Sequence, residues 1–160
     1  MAIITICLVS WLVMVMACDL GARRVPNWTQ LAGLCMALAA LGGAIQPLGI
    51  TPLQALLGAL LGFGAMLACY ALGVMGAGDV KFAGVLGLWF GWRLLLPIWM
   101  GASLLAGLHA AVVLCLRHWP RRAALTEGVP SDGKPGRSRY QQIPYAAYLA
   151  ISAWVVMQWA

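Results

Sequence analysis

Two of the four acids in this chain stand where an ionisable side chain is costly. Asp19, Asp79, Glu127 and Asp132 are the whole supply of carboxylates in 160 residues. Glu127 and Asp132 lie among basic neighbours in a polar tract and read as solvated loop charges. Asp19 closes one long apolar run and Asp79 opens another, so each needs a reason to sit at the edge of a hydrophobic segment. Two carboxylates near enough to share a proton can hydrolyse a peptide bond. The ionised one activates water, while the protonated one donates to the carbonyl oxygen or the leaving nitrogen. Asp19 and Asp79 are the one plausible pair for this; helix capping or a boundary role is the plain alternative for each. Gly76-Ala77-Gly78 precedes Asp79, and glycines beside an acid remove side-chain bulk so that a second backbone can approach.

Other chemistries find few residues. His109 lies deep in an apolar run and His118 in the basic tract, which leaves neither a metal cluster nor a Ser/His/Asp arrangement. Ser103 precedes His109 by six residues, the wrong spacing for partners on one helix face. Cys7, Cys18, Cys35, Cys69 and Cys115 are isolated, with no C-x-x-C spacing, and read as small core residues. No metal and no cofactor is expected, and no phosphate-binding glycine loop follows a strand, because no strand is expected.

The elements that must position the acids are membrane helices. Apolar residues make up 63% of the chain and charged ones 9%, with mean hydropathy +0.90, so the expected fold class is all-α, a polytopic integral membrane protein. Residues 1–160 are expected to form one membrane domain. Apolar runs cover residues 1–18, 28–45, 53–72, 82–92, 94–116 and 144–160, about six transmembrane helices. The first run lacks a basic leading segment and is expected to stay as a span, not to be removed as a signal peptide. The fourth is too short to cross alone, so its helix should begin upstream and carry Asp79 to the membrane boundary, with Arg93 marking the turn that follows.

Charge sets the orientation. Loops after the first, third and fifth runs hold nine of the ten Lys and Arg residues, Arg93 being the exception. By the positive-inside bias those loops face the cytoplasm and both termini the periplasm, which puts Asp19 and Asp79 at the cytoplasmic face. The formal net charge of +6 therefore serves topology and contact with the lipid bilayer, and no nucleic-acid partner is expected. Residues 117–143, with three prolines among repeated Gly and Ser, are expected to form a mobile basic cytoplasmic loop. Trp28, Trp92, Trp119 and Trp159 fall near run ends, as interfacial anchors do. Gly58 and Gly62 form one G-x-x-x-G pair and Gly87 and Gly91 another, spacings suited to close packing of helices inside the fold.

Three stretches, in order, resemble a known family. Asp19-Leu20-Gly21-Ala22-Arg23-Arg24-Val25-Pro26-Asn27 is similar to the aspartate, arginine and Val/Ile-Pro-Asn element of type IV prepilin peptidases. Gly76-Ala77-Gly78-Asp79-Val80-Lys81 resembles their G-x-G-D-x-K element, and Ile143 to Ala150 resembles the opening of their last helix. Ala147 stands where many members have proline. The resemblance implies a G-x-G-D aspartic endopeptidase of the bacterial inner membrane that removes the basic leader of a prepilin or pseudopilin, cutting after a glycine at the cytoplasmic face. Asp19 and Asp79 take the positions of the catalytic pair. Gly76 and Gly78 would shape the approach of substrate, with Arg23, Asn27 and Lys81 as candidates for positioning polar groups or lipid headgroups.

Longer members carry paired C-x-x-C motifs and also methylate the new N-terminus. With neither their length nor those cysteines, this chain resembles the short, peptidase-only enzymes of Tad/Flp pilus systems, and no N-methyltransferase activity is expected. Two alternatives stand beside this reading. A presenilin-like intramembrane protease also uses a G-x-G-D acid, but pairs it with a Tyr-Asp element, and here Cys18 precedes Asp19. A non-catalytic assembly factor or transporter would use the two acids to bind a cation or to pair with Arg24 or Lys81.

Overall fold

Short-range chemistry fixes most of the helix boundaries. The structure, a computed structural model, describes residues 2–22, 25–43, 45–73, 75–118 and 145–159. Helix α1 (Ala2–Ala22) takes up the first apolar run and ends just beyond Asp19. Pro26, extended at φ −61° and ψ 145°, precedes α2 (Asn27–Gly42), and the Thr29 hydroxyl donates to the Pro26 carbonyl at 2.6 Å. The third helix, α3 (Pro52–Ala71), starts with a capping box. Gln54 N–H donates to Thr51 Oγ1 while Thr51 N–H donates to Gln54 Oε1, and Pro52 occupies a position where no N–H is needed. Helices α4 (Ala77–His118) and α5 (Tyr145–Met157) complete the described fold, in which there is no strand.

Gly91 divides α4. The apolar stretch Ala77–Cys115 has 39 residues, and as a straight helix would reach about 58 Å, nearly twice the ~30 Å hydrocarbon thickness. Gly91 has φ 66° and ψ 175°, a conformation that glycine adopts without a Cβ penalty. A methyl group added at Gly62 of α3 would meet both the Ala83 carbonyl and the Leu95 side chain, residues on either side of Gly91. Residues 77–90 and 92–118 therefore double back on each other. The turn falls at Gly91, two residues before the expected Arg93, which is instead helical with its guanidinium 5.5 Å from the Trp92 ring. The helix does begin upstream of the fourth apolar run, at Ala77, as the run's shortness requires.

The hairpin clasps α3 through glycines. Added methyls at Gly58 and Gly87 would each collide with the other's backbone, so the two G-x-x-x-G pairs face one another. Lipid tails are as apolar as leucine, so close approach and interhelical hydrogen bonds hold membrane helices together in place of a hydrophobic drive. Buried tryptophans supply such bonds. Trp11 Nε1 donates to the Thr29 carbonyl at 2.8 Å and Trp89 Nε1 to the Gly33 carbonyl at 3.2 Å, fastening α2 to α1 and α4. The outer surface stays apolar, with Ile3, Leu31, Leu60 and Leu104 exposed, as a lipid-facing surface must be.

Three of the helical segments, Ala2–Gly21, Pro52–Ala71 and Ala77–Cys115, are long and apolar enough to cross a membrane, while α2 and α5 are shorter. The cysteines depart from expectation. Cys7, Cys35 and Cys115 are exposed and Cys18 and Cys69 half-buried, because in an apolar solvent a small thiol gains nothing from facing the core. Trp28, Trp92 and Trp159 are exposed as anchors would be. Helix α4 continues to His118, so the first two residues of the expected loop 117–143 are helical; the rest of that stretch, with Trp119, lies outside the described residues.

Candidate active site

Helices α1, α4 and α5 meet where the two acids stand. Asp19 sits in the last turn of α1 and is buried, 6% exposed. Its Oδ2 accepts the backbone N–H of Ala147 at 2.8 Å. Ala147 is the third residue of α5, where an N–H has no partner inside its own helix, so Asp19 supplies a cap from 128 residues away. A proline at 147 would have no such donor, which gives the departure at this position a structural meaning. Asp79 sits in the first turn of α4, and its backbone N–H donates to the Gly76 carbonyl at 3.1 Å. Both acids adjoin the start of α5, where Tyr145 packs against the cluster of Met66, Val80 and Ala83 next to Asp79.

Glycines flank Asp79 differently from those at the α3 seam. A methyl on Gly76 would lie 3.6 Å from Asp79 Oδ2, in contact with the carboxylate, whereas one on Gly78 would meet nothing within 4 Å among the described residues. One glycine keeps bulk away from the acid and the other borders open space. Asn27 and Lys81, from separate sequence elements, come together: Lys81 Nζ donates to Asn27 Oδ1 at 3.1 Å, both side chains being exposed. Arg23 lies outside the described residues.

Three groups that the sequence did not mark as site residues also stand at this end. The Tyr145 hydroxyl is 3.5 Å from Ser103 Oγ, and Tyr145 and Tyr148 belong to the first turn of α5, whose Ala147 N–H Asp19 accepts. Tyr148 also lies against His109, ring centroids 5.9 Å apart. Both tyrosines belong to the third element of the resemblance, which was the available signal; Ser103 carried none, because only the reversal at Gly91 returns it to the level of Asp79. Among the described residues, no group of three or more His, Cys, Asp or Glu side chains is placed to hold a metal ion.

The site can carry out acid–base chemistry with two carboxylates at one end of a helix bundle. Comparison with known proteins places the chain in a family. Residues 6–111 match the model of the type IV leader peptidase family. A prepilin leader peptidase/N-methyltransferase of Xanthomonas campestris pv. campestris is 29% identical over 161 residues, covering 96% of this chain and 49% of that protein. A protein of the same description from Aeromonas salmonicida is 27% identical, covering 95% and 48%, and one from Pseudomonas aeruginosa is 31% identical over 85 residues, covering 53% and 23%. The chain spans about half the length of the first two relatives. No solved structure matches. With the family's pattern running through more than half of its residues, from α1 into the second arm of α4, this chain belongs to the type IV leader peptidase family.

Proposed function

We propose that this chain is a membrane-embedded aspartic endopeptidase that removes the leader peptide of a type IV prepilin or pseudopilin, of the Flp/Tad kind, at the cytoplasmic face of the bacterial inner membrane. The observation that carries the reading is that α1 and α4, both inside the family match, bring the two acids to the first turn of α5: Asp19 accepts the Ala147 N–H, and Tyr145 packs against the cluster of Met66, Val80 and Ala83 that adjoins Asp79. The ionised carboxylate of the pair takes a proton from water as the water oxygen bonds to the scissile carbonyl carbon. The protonated partner supports the carbonyl oxygen as charge develops there. Collapse breaks the C–N bond, the leaving nitrogen takes a proton from the pair, and a leader carboxylate and a free pilin amine depart.

The surrounding residues have supporting parts. Gly76 and Gly78 leave the space beside Asp79 through which an extended leader reaches the acids, and Arg23, Asn27 and Lys81 position polar groups at the same boundary. The two arms of α4 each cross the bilayer, giving six crossings with both termini periplasmic and the basic loops cytoplasmic. The transferase activity in the relatives' names is not part of this proposal, because the five cysteines form no C-x-x-C pair.

The test is co-expression with a Flp-type prepilin in membranes, comparing wild type with Asp19→Asn and Asp79→Asn after confirming that each inserts. Shortening of the prepilin by wild type and by neither variant supports the two-aspartate peptidase. Cleavage persisting in either variant makes that aspartate structural. An inserted wild type that leaves several prepilins uncut favours a non-catalytic assembly role.

A further inference from the structure

Tyr145 touches the surroundings of both acids from a third helix. It opens α5, and two residues further on the Ala147 N–H donates to Asp19 Oδ2. Its ring packs against Met66, Val80 and Ala83, the cluster that contains the residue next to Asp79. The hydroxyl is met from the second arm of α4. Ser103 and Asp79 stand twelve residues to either side of the reversal at Gly91, so each lies about 18 Å along its arm and the two share one depth. Ser103 Oγ is 3.5 Å from the Tyr145 hydroxyl, and the pair is exposed. Two hydroxyls in a well-formed hydrogen bond approach to about 2.7–2.8 Å. The phenol is therefore loosely engaged, free to turn its O–H to another acceptor while the ring stays held. Tyr148 turns instead to His109, six residues farther along the second arm than Ser103 and about 9 Å from that depth.

We infer that Tyr145 is a third catalytic residue, whose hydroxyl donates to the scissile carbonyl oxygen beside Asp79 while the Ser103 hydroxyl donates to the phenol oxygen. The inference rests on the peptidase reading proposed above. As water bonds to the carbonyl carbon, negative charge gathers on the carbonyl oxygen, and a donor already fixed against an apolar wall stabilises it without reorganising. The protonated aspartate stops being a donor once its proton goes to the leaving nitrogen. Tyr145 transfers no proton, so its bond to the oxygen lasts through both the attack and the collapse. Ser103 is a positioning residue. Its O–H occupies a lone pair of the phenol oxygen, which leaves the phenol O–H to point at substrate and polarises it.

Tyr145→Phe keeps the ring on its cluster and removes only the oxygen. In full-length protein in detergent cutting a Flp-type prepilin, kcat should fall about 10²-fold with KM changed less than about twofold. Ser103→Ala should lower kcat by about threefold to tenfold. A leader peptide carrying a hydroxyethylene unit at its Gly junction mimics the tetrahedral carbon. It should bind Tyr145→Phe at least about tenfold more weakly than wild type, while the leader with an ordinary peptide bond binds both alike. A tether that only holds α5 to α4 would weaken both ligands equally or neither. Wild-type kcat in Tyr145→Phe, a rise in KM alone, or equal affinity of the two proteins for the hydroxyethylene peptide overturns the assignment. If Tyr145→Phe loses the wild-type elution profile, Ser103→Ala decides, and its binding that peptide as tightly as wild type overturns the assignment too. A wild type that cuts no prepilin defeats the peptidase reading and this inference with it; the other adverse results, with wild type active, defeat this inference alone.

Discussion

Glycine serves opposite ends in two parts of this molecule. Along the seam between α3 and α4, Gly58, Gly62 and Gly87 are glycines because another backbone already fills the space a side chain would take. Beside Asp79, a methyl on Gly76 would only brush the carboxylate at 3.6 Å and one on Gly78 would meet none of the described residues. The seam is a finished contact, made between helices for which lipid offers no hydrophobic drive to associate, so its stability depends on approach distance. The aspartate end is an unfinished contact. Its polar groups are tied to helix ends, with Asp19 on the first turn of α5 and Asp79 in the first turn of α4, and a small residue there keeps access open. The same residue type thus marks rigidity in one region and accessibility in the other.

Substitution should separate the regions. The largest effect is expected from Gly87→Leu, whose side chain has nowhere to go against Gly58: α3 and the α4 hairpin separate, and monodisperse protein is lost on size exclusion in detergent. If that variant elutes like wild type, the seam is not the close contact described. Next come Asp19→Asn and Asp79→Asn, expected to keep the wild-type elution profile while lowering leader cleavage by roughly 10²- to 10⁴-fold, the range of positioned acid–base groups. A variant that loses its fold as well would erase the distinction between the two regions.

A smaller effect is expected from Ala147→Pro, which deletes the N–H donor to Asp19 but suits the first turn of a helix. Thermal stability should fall by about 1.5–3 kcal/mol, the worth of a hydrogen bond to a charged group, with cleavage retained within severalfold; a collapse of cleavage would show that this bond positions Asp19 for chemistry. The smallest belongs to Trp89→Phe, which removes the bond to the Gly33 carbonyl and keeps most of the ring's packing, for about 0.6–2 kcal/mol in a thermal melt.

Several features were legible from residues alone. Pro26-Asn27 marks the start of α2, and the shortness of the fourth apolar run required a helix that includes Asp79. These depend on neighbours a few positions away, which is what a sequence displays. The turn between the arms of α4 was harder to place. Arg93 is the charge a hydropathy reading uses, whereas Gly91 supplies the backbone freedom that reversal needs. The cysteines misled for a related reason. Burial preferences learned in water rank a thiol among core residues, and a lipid-facing surface removes the penalty that drives it inward.

The sequence by itself determined that the chain is apolar enough for membrane helices, that its carboxylates are scarce, and that two of them stand at helix ends, because composition and local order require no knowledge of distant neighbours. Only the tertiary structure decided that Asp19 caps α5 through Ala147, that Lys81 reaches Asn27, that Ser103 and Tyr145 share the end where Asp79 lies, and that Gln30 is buried without a partner. Each of these depends on the reversal at Gly91 or on helices brought side by side, and the distances that decide a hydrogen bond are set by that packing and not by spacing along the chain.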